Sequence, residues 1–477
     1  MSFCGTNTRA RKRMAIIASY FKGESYGLLG PQMAATVIEE HTIYECIVIA
    51  VAREDDKIVL KKTLADYFGA EKPIIGFSTL SGREDLFCFA QELKEQGALT
   101  ILAGPQADVD FVGEKDCRDY PCRFHGLSTN FTFSLHGPAE QVICLLKDLD
   151  KDKWRNTPGL LYQGEDGRVI RNAEQAWNER FVRKVKWDNI YRIGEEGLIP
   201  LNITTGQVLQ QIGCPYAACA RWAEIDYPVS FARRNREKVK LLLKGCGFCD
   251  VAADKGFYGA LDIETVVNQI RCLPVAGDGR KIPFELINEN PLPGLPRLLR
   301  VVKERGILIS QVNLILRADW FLQGEKKVRE VLRLAKSMGI RILLASVGFE
   351  SFDDGILGNL NKGLTVKTNL QAVRLMRKLR EGFPQEWAYS RGEGAIHGFI
   401  HPTPWDTQQS SAHIQKIFSR HFLLKDIIPE HSIPLIIHHA SGLGDWIREV
   451  EAREGVEFKR HGSIIGWWQV GDRFTLE

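Results

Sequence analysis

The sequence predicts an α/β protein: an N-terminal, Rossmann-like doubly wound parallel sheet, followed by a partial (β/α)6, TIM-like barrel with a small C-terminal cap. Three observations carry this expectation. Short apolar runs alternate with helical periodicity over the first 150 residues, a charged, Gly-bearing stretch interrupts them at 148–171, and strand-then-helix repeats resume from 199. Parallel neighbours need a crossover, so sustained alternation implies a parallel sheet whose faces are covered by helices.

In the first half, strands are expected over 14–20, 46–52, 72–79 and 99–103, with helices over 32–40, 60–67 and 84–95. Ligands of such sheets sit beyond the carboxyl ends of the strands. Three of those ends are distinctive: Ser78-Thr79-Leu80, Gly104-Pro105-Gln106-Ala107, and His136-Gly137-Pro138 ahead of a late helix. Small residues there let a ligand approach the backbone closely. Gly164 and Gly167 lie between two short apolar runs and read as a surface hairpin at a domain boundary. The expected organisation is a first domain over 1–150, a joining segment over 151–196, a second domain over 197–440 and a cap over 441–477.

Composition narrows the function. A chain of 477 residues with 44% hydrophobic and 26% charged residues belongs with folded proteins of two or three domains. Its 63 basic and 59 acidic residues are too balanced to point to nucleic acid. No run approaches the roughly 20 apolar residues of a membrane span. The apolar stretch behind the basic cluster at 9–13 is too short for an export signal. Eleven cysteines without such a signal fit a cytoplasmic, reducing setting, where thiols hold metals or fill cores.

In the second half, strands are expected over 201–205, 283–288, 312–316, 341–347 and 395–400, with 434–438 as a further candidate. Helices are expected over 262–272, 295–305, 326–338, 366–379 and 410–420. Cys246-Gly-Phe248-Cys249 stands about thirty residues after Gly213-Cys214-Pro215-Tyr216. Two thiols three positions apart can reach one metal site, and a third completes a soft ligand set for iron and sulfide. Either Cys214 or Cys219 is available as that third. The insert between them, 217–245, carries Arg233, Arg234, Arg236, Lys238, Lys240 and Lys244 and reads as a basic helical segment with a solvated face. Four cysteines so spaced also suit structural zinc, which would make the chain a non-catalytic binding protein.

The Cys246–Cys249 pair, Gly348-Phe349-Glu350-Ser351 and Pro402-Thr403-Pro404-Trp405-Asp406-Thr407, taken with the strand ends of the first half, resemble the cobalamin-dependent radical S-adenosylmethionine enzymes, methyltransferase-like, over about 14–439. The resemblance implies a 4Fe-4S cluster on Cys214, Cys246 and Cys249. It implies S-adenosylmethionine contacts from Phe248, Asn288, Glu289, Arg317, Glu350 and Pro404, with Arg317 as a fork for the carboxylate. Cobalamin would lie against Ser78, Leu80, Gly104, Pro105, Gln106, His136 and Gly137. The loop over 20–30 has no histidine where methyltransferase and mutase relatives place a cobalt ligand.

The activity so implied is hydrogen abstraction by a 5'-deoxyadenosyl radical from an unactivated carbon of a small-molecule or peptide substrate, then methyl delivery by methylcobalamin. An external donor such as flavodoxin or ferredoxin would supply the electron. Rearrangement or cyclisation from the same radical start is the alternative. No catalytic side chain is singled out, because His397, His401, His438 and His439 lie where strand alternation turns some away from a pocket. Asp353 and Asp354 read as helix-start caps, and Trp446, Trp467 and Trp468 as covers for the barrel mouth.

Overall fold

The computed structural model describes residues 11–80, 82–151, 153–195, 197–231, 237–249, 257–470 and 473–475. The chain divides into two compact units, one of residues 1–112 and 127–203, the other of 113–126 and 204–477. Arg233, Arg234, Arg236 and Asp250 lie outside the described residues.

In the first unit, β1 (Lys12–Ser19), β2 (Tyr44–Val51), β3 (Ile74–Ser78), β4 (Leu99–Ala103) and β5 (Phe133–Leu135) run parallel in the order β5-β4-β3-β1-β2. Winding reverses between β1 and β3, the place where doubly wound sheets open a crevice. These strands are buried nearly end to end, as a sheet covered on both faces requires. The crossover helices are Leu29–His41, Lys57–Phe68 and Glu84–Glu95. The hairpin expected at 160–171 forms as β6 (Leu160–Gln163) and β7 (Val169–Arg171), and it extends the sheet edge because β6 pairs with β5. β8 (Ile190–Gly194) and β9 (Gly197–Pro200) extend the other edge, giving nine strands.

The second unit contains β10 (Gly206–Leu209), β11 (Gln211–Gly213), β12 (Ala220–Asp226), β13 (Lys238–Lys244), β14 (Phe257–Ala260), β15 (Phe284–Ile287), β16 (Gln311–Leu316), β17 (Arg341–Glu350), β18 (Trp387–Ala388) and β19 (Gly398–Phe399). β20 (Ile436–His438) and β21 (Ile464–Gly466) follow. An all-parallel six-stranded sheet runs β10-β15-β16-β17-β18, with β19 on the carboxyl half of β17. Helices Ile263–Cys272, Leu295–Glu304, Glu325–Met338 and Val366–Gly382 make the crossovers. Side-chain caps start two of them: Asp262 accepts from Thr265 N–H and Thr365 from Thr368 N–H. Asp353 caps the helix Asp354–Asn359 in the expected way.

Three expectations are corrected. The first strand of this sheet is 206–209 rather than 201–205, because Leu201 N–H bonds the Ile190 carbonyl and so prolongs the pairing of the preceding unit. The candidate strand at 434–438 becomes β20, which pairs antiparallel with β21 outside the parallel sheet. The basic insert is an antiparallel hairpin, not a helix: β12 and β13 pair from Ala220↔Lys244 to Asp226↔Lys238. In Lys-Val-Lys-Leu-Leu-Leu-Lys, Val239 and Leu243 point inward while Lys238, Lys240 and Lys244 face water, a period of two.

The segment 113–126 is tied to its unit by a buried charge network. Arg460 and Arg448 donate to the Glu114 carboxylate at 3.0 and 3.2 Å. Burial alone would raise the Glu114 pKa, yet Arg460, the Phe124 amide and Arg448 hold it down at about 2. Trp446 and Trp467 are buried. No helix among the described residues is long and apolar enough to cross a membrane.

Candidate active site

Cys214 follows β11 and precedes the short turn Pro215–Ala217. Burial pushes its thiol pKa up; the Tyr216 and Ala217 amides partly offset this, and Glu289 and Cys246 add to it. Cys214 and Cys246 are therefore electrostatic neighbours despite their separation in sequence. The paired β12–β13 hairpin explains this, since it returns the chain to the place it left.

The Cys246–Cys249 turn is clamped on both sides. Gly247 N–H donates to the Leu360 carbonyl at 2.8 Å, Leu443 N–H donates to the Gly247 carbonyl at 2.8 Å, and Asn361 Nδ2 donates to the Gly245 carbonyl at 2.7 Å. Within the turn, Cys249 N–H bonds the Cys246 carbonyl at 3.1 Å. Cys219, by contrast, is exposed. Among the described residues, no three of these cysteines bring their sulfurs within 4.8 Å of one another. Tetrahedral zinc, with Zn–S near 2.3 Å, draws sulfurs to roughly 4 Å apart.

Beside the thiols stand two cations. Arg317, just after β16 and 6% exposed, donates from Nη1 to Cys246 Sγ at 3.6 Å and lies 3.9 Å above the Tyr216 ring. Its Nη2 also donates to the Lys362 carbonyl at 2.8 Å, and Nε meets Asp319 at 3.1 Å. Lys362 Nζ bonds Glu350 Oε1 at 2.8 Å, and both side chains are buried. Burial works against the Lys362 charge, but Glu350 and Cys246 outweigh it and the pKa is raised. Its Nζ lies 5.7 Å from the Phe248 ring.

Two glycines make room for this ion pair. A Cβ at Gly348 would lie 2.4 Å from Glu350 Oε1 and 2.7 Å from Lys362 Nζ, and one at Gly398 would lie 2.7 Å from Glu350 Oε2. Glu350 itself has φ +60, a left-handed conformation uncommon for a side-chain-bearing residue and concentrated at functional sites. Two residues after β15, Glu289 is exposed. Desolvation raises its pKa and that of Glu285, while Lys362 and Arg317 moderate the effect at Glu289. Asn288 is fixed by Gln210, to whose Oε1 it donates at 2.8 Å.

The loop after β19 is joined to the insert. Pro404 accepts from Val229 N–H at 2.9 Å, and Trp405 Nε1 donates to the Asp226 carbonyl at 2.9 Å. His401 Nδ1 stands 3.2 Å from Asp406 Oδ2, which raises the His401 pKa. His397 is a bridge between backbones: Nδ1 accepts from Val347 N–H at 3.0 Å, so Nε2 carries the proton it gives to the Tyr389 carbonyl at 2.7 Å. Burial lowers its pKa to about 4. Lys362, Asp319 and the stacking role of Tyr216 were not anticipated. One signal was available: Gly363 has φ +65, and a Cβ there would lie 2.5 Å from Tyr216 Oη.

In the first unit, the predicted residues gather at the carboxyl ends of three adjacent strands. Ser78 ends β3, Gly104 follows β4 with φ +123, and a Cβ on Gly104 would meet Ser78 Oγ only at 3.5 Å. Leu80 is 53% exposed, and Gly104 and Pro105 are open, with Gln106 half-buried. His136 follows β5, with Nδ1 3.6 Å from Asp108 and Nε2 3.4 Å from Glu174. Gly137, φ +96, has no space for a side chain, since a Cβ would lie 2.6 Å from Glu174 Oε2.

No family model matches the chain, and a search of curated proteins also gives no match. Among solved structures, the fold is similar to that of the cobalamin-dependent S-adenosylmethionine radical enzyme OxsB. The form with aqua-cobalamin and S-adenosylmethionine bound aligns with TM-score 0.57 and 14% identity over 95% of this chain and 63% of that one. The form with aqua-cobalamin alone gives 0.55 and 15% over 95% and 64%, and the apo form 0.52 and 14% over 94% and 61%. The likeness is one of fold, and this chain spans less than two thirds of OxsB.

Proposed function

We propose that this chain is a cobalamin-dependent radical S-adenosylmethionine enzyme, with a Rossmann-like cobalamin-binding domain and a partial (β/α)6 barrel. The observation that carries the reading is the clamped Cys246–Cys249 turn beside Arg317, next to the strand ends of an all-parallel sheet, with Cys214 close enough to act on Cys246 electrostatically. Cys214, Cys246 and Cys249 hold the 4Fe-4S cluster. The donor set fits, since three partly buried thiols, with Arg317 donating to that of Cys246, offer soft sulfur ligands to iron. Phe248, Asn288, Glu289, Glu350 and Pro404 face S-adenosylmethionine; Arg317, the sixth residue of that expected set, stands beside Cys246 with most of its N–H groups engaged within the chain. Ser78, Leu80, Gly104, Pro105, Gln106, His136 and Gly137 line the corrinoid, a reading supported by the space beside Gly104 at its open strand end.

When bound, the cluster supplies the electron that cleaves S-adenosylmethionine to a carbon radical, and the corrinoid supplies a methyl carrier. The chain's own residues hold and shield. The clamped cysteine turn fixes the thiols, and the buried Lys362 holds the Glu350 carboxylate in one position by a 2.8 Å hydrogen bond. Methyl transfer to an unactivated carbon of a small-molecule or peptide substrate is the finer reading, with flavodoxin or ferredoxin as donor.

Protein purified without oxygen should contain iron, sulfide and a corrinoid. With S-adenosylmethionine labelled in its methyl group, label should enter the product. Formation of 5'-deoxyadenosine with unlabelled product would replace methylation by rearrangement or cyclisation, and a colourless zinc protein would end the reading.

A further inference from the structure

Arg317 has little left for a ligand. Among the described residues, four of its five N–H groups are engaged within the chain, on Asp319, on the Lys362 carbonyl and on Cys246 Sγ, and Tyr216 covers one face. Lys362 is likewise held, by Glu350, with Cys246 near enough to favour its charge. In both pairs a carboxylate fixes the cation; Arg317 is the one that meets the sulfur, and Lys362 Nζ stands 5.7 Å from the Phe248 ring inside the cysteine turn. Neither arrangement is needed for packing alone, because a buried ion pair is often no more stabilising than apolar residues of the same volume.

We propose that Arg317 and Lys362 are positioning residues that set the electron affinity of the cluster ligated by Cys246. The inference rests on the radical-enzyme reading above. Reduction adds one electron from the external one-electron donor to the cluster, with no bond made or broken. Fixed positive charge beside the sulfur, and an N–H···S hydrogen bond to it, favour the more negative reduced state. Each cation should be worth about tenfold in the reduction equilibrium, which for a one-electron couple is about 59 mV.

The test is an anaerobic redox titration of the cluster-loaded full chain, read by the paramagnetic resonance of the reduced cluster. Arg317→Gln should shift reduction about tenfold toward the oxidised form, and Arg317→Lys should recover part of that shift. For Lys362, the double variant Glu350→Gln with Lys362→Gln keeps a hydrogen-bonded pair without charge and should shift the equilibrium in the same direction. Unchanged potentials at wild-type iron content overturn the inference and leave the reading standing. Variants that no longer hold a cluster would show that the cations fold the thiol turn rather than tune it, which also overturns the inference. A wild-type chain that takes up no iron and sulfide overturns both.

Discussion

The two units use the same strand-helix grammar to opposite ends. At the strand ends of the first, Ser78 and Gly104 are small, and a Cβ on Gly104 would meet nothing nearer than Ser78 Oγ at 3.5 Å. At those of the second, charge is packed densely: Arg317, Glu350 and Lys362 are all buried, and Arg317 donates to Cys246 Sγ. One sheet ends in small residues, exposed at Gly104, and the other in buried charges. Parallel strands permit both, because their carboxyl ends converge on loops free to vary while the core residues behind them stay apolar.

This contrast can be broken most decisively at the thiols. Cys246→Ala should abolish iron and sulfide uptake and lower S-adenosylmethionine cleavage by at least about 100-fold, while corrinoid binding is retained. Loss of both cofactors together would refute the division of labour. Next in size is Lys362→Met, which leaves Glu350 buried without its partner and should cost about 3–5 kcal/mol in urea unfolding. The comparable change in the first unit, Arg171→Ala, also strips a buried carboxylate, Asp108, of a cation, but Asp108 keeps the Val109 amide and His136, so a smaller cost of about 1–3 kcal/mol is expected.

A third test follows from His397, 1% exposed and held by burial at a pKa of about 4. Unfolded, the ring titrates near its ordinary value of about 6.5, so the unfolded chain binds the additional proton between these values. Stability should therefore fall as pH drops from about 6.5 to 4, by roughly 3 kcal/mol from this group. His397→Asn should remove that component from the pH dependence of unfolding. Smallest is Gly104→Ala: space is present, but φ +123 is strained for alanine, so a cost of about 1–2 kcal/mol is expected, with weaker corrinoid retention.

Much of this was legible in the sequence, for reasons that also explain the rest. Strands such as 99–103 and helices such as 84–95 fall where expected because apolar periodicity is a direct record of burial. The insert was misjudged because lysine density masked the two-residue alternation of Val239 and Leu241. Cys246 and Cys249 announce themselves by spacing, whereas Lys362 does not, since its importance comes from Glu350 twelve residues earlier and Cys246 more than a hundred residues away. Contacts of that kind are made by topology and leave no local pattern. Glu114, whose partners Arg448 and Arg460 lie over three hundred positions downstream, is a further case.

The pairing of Ala220 with Lys244 has a consequence for how such proteins diverge. An excursion whose two ends are zipped together disturbs the spacing of its flanking thiols little, since lengthening its tip adds only a logarithmic closure entropy, provided the bonds from Asp226 and Val229 to the Pro404–Trp405 loop are kept. Ligand spacing along the chain is then free to drift, and recognition by a short fixed pattern fails well before the chemistry does. The hairpin behaves as a cassette: shortened, lengthened or exchanged, it should leave the thiols in register as long as its first and last rungs are kept.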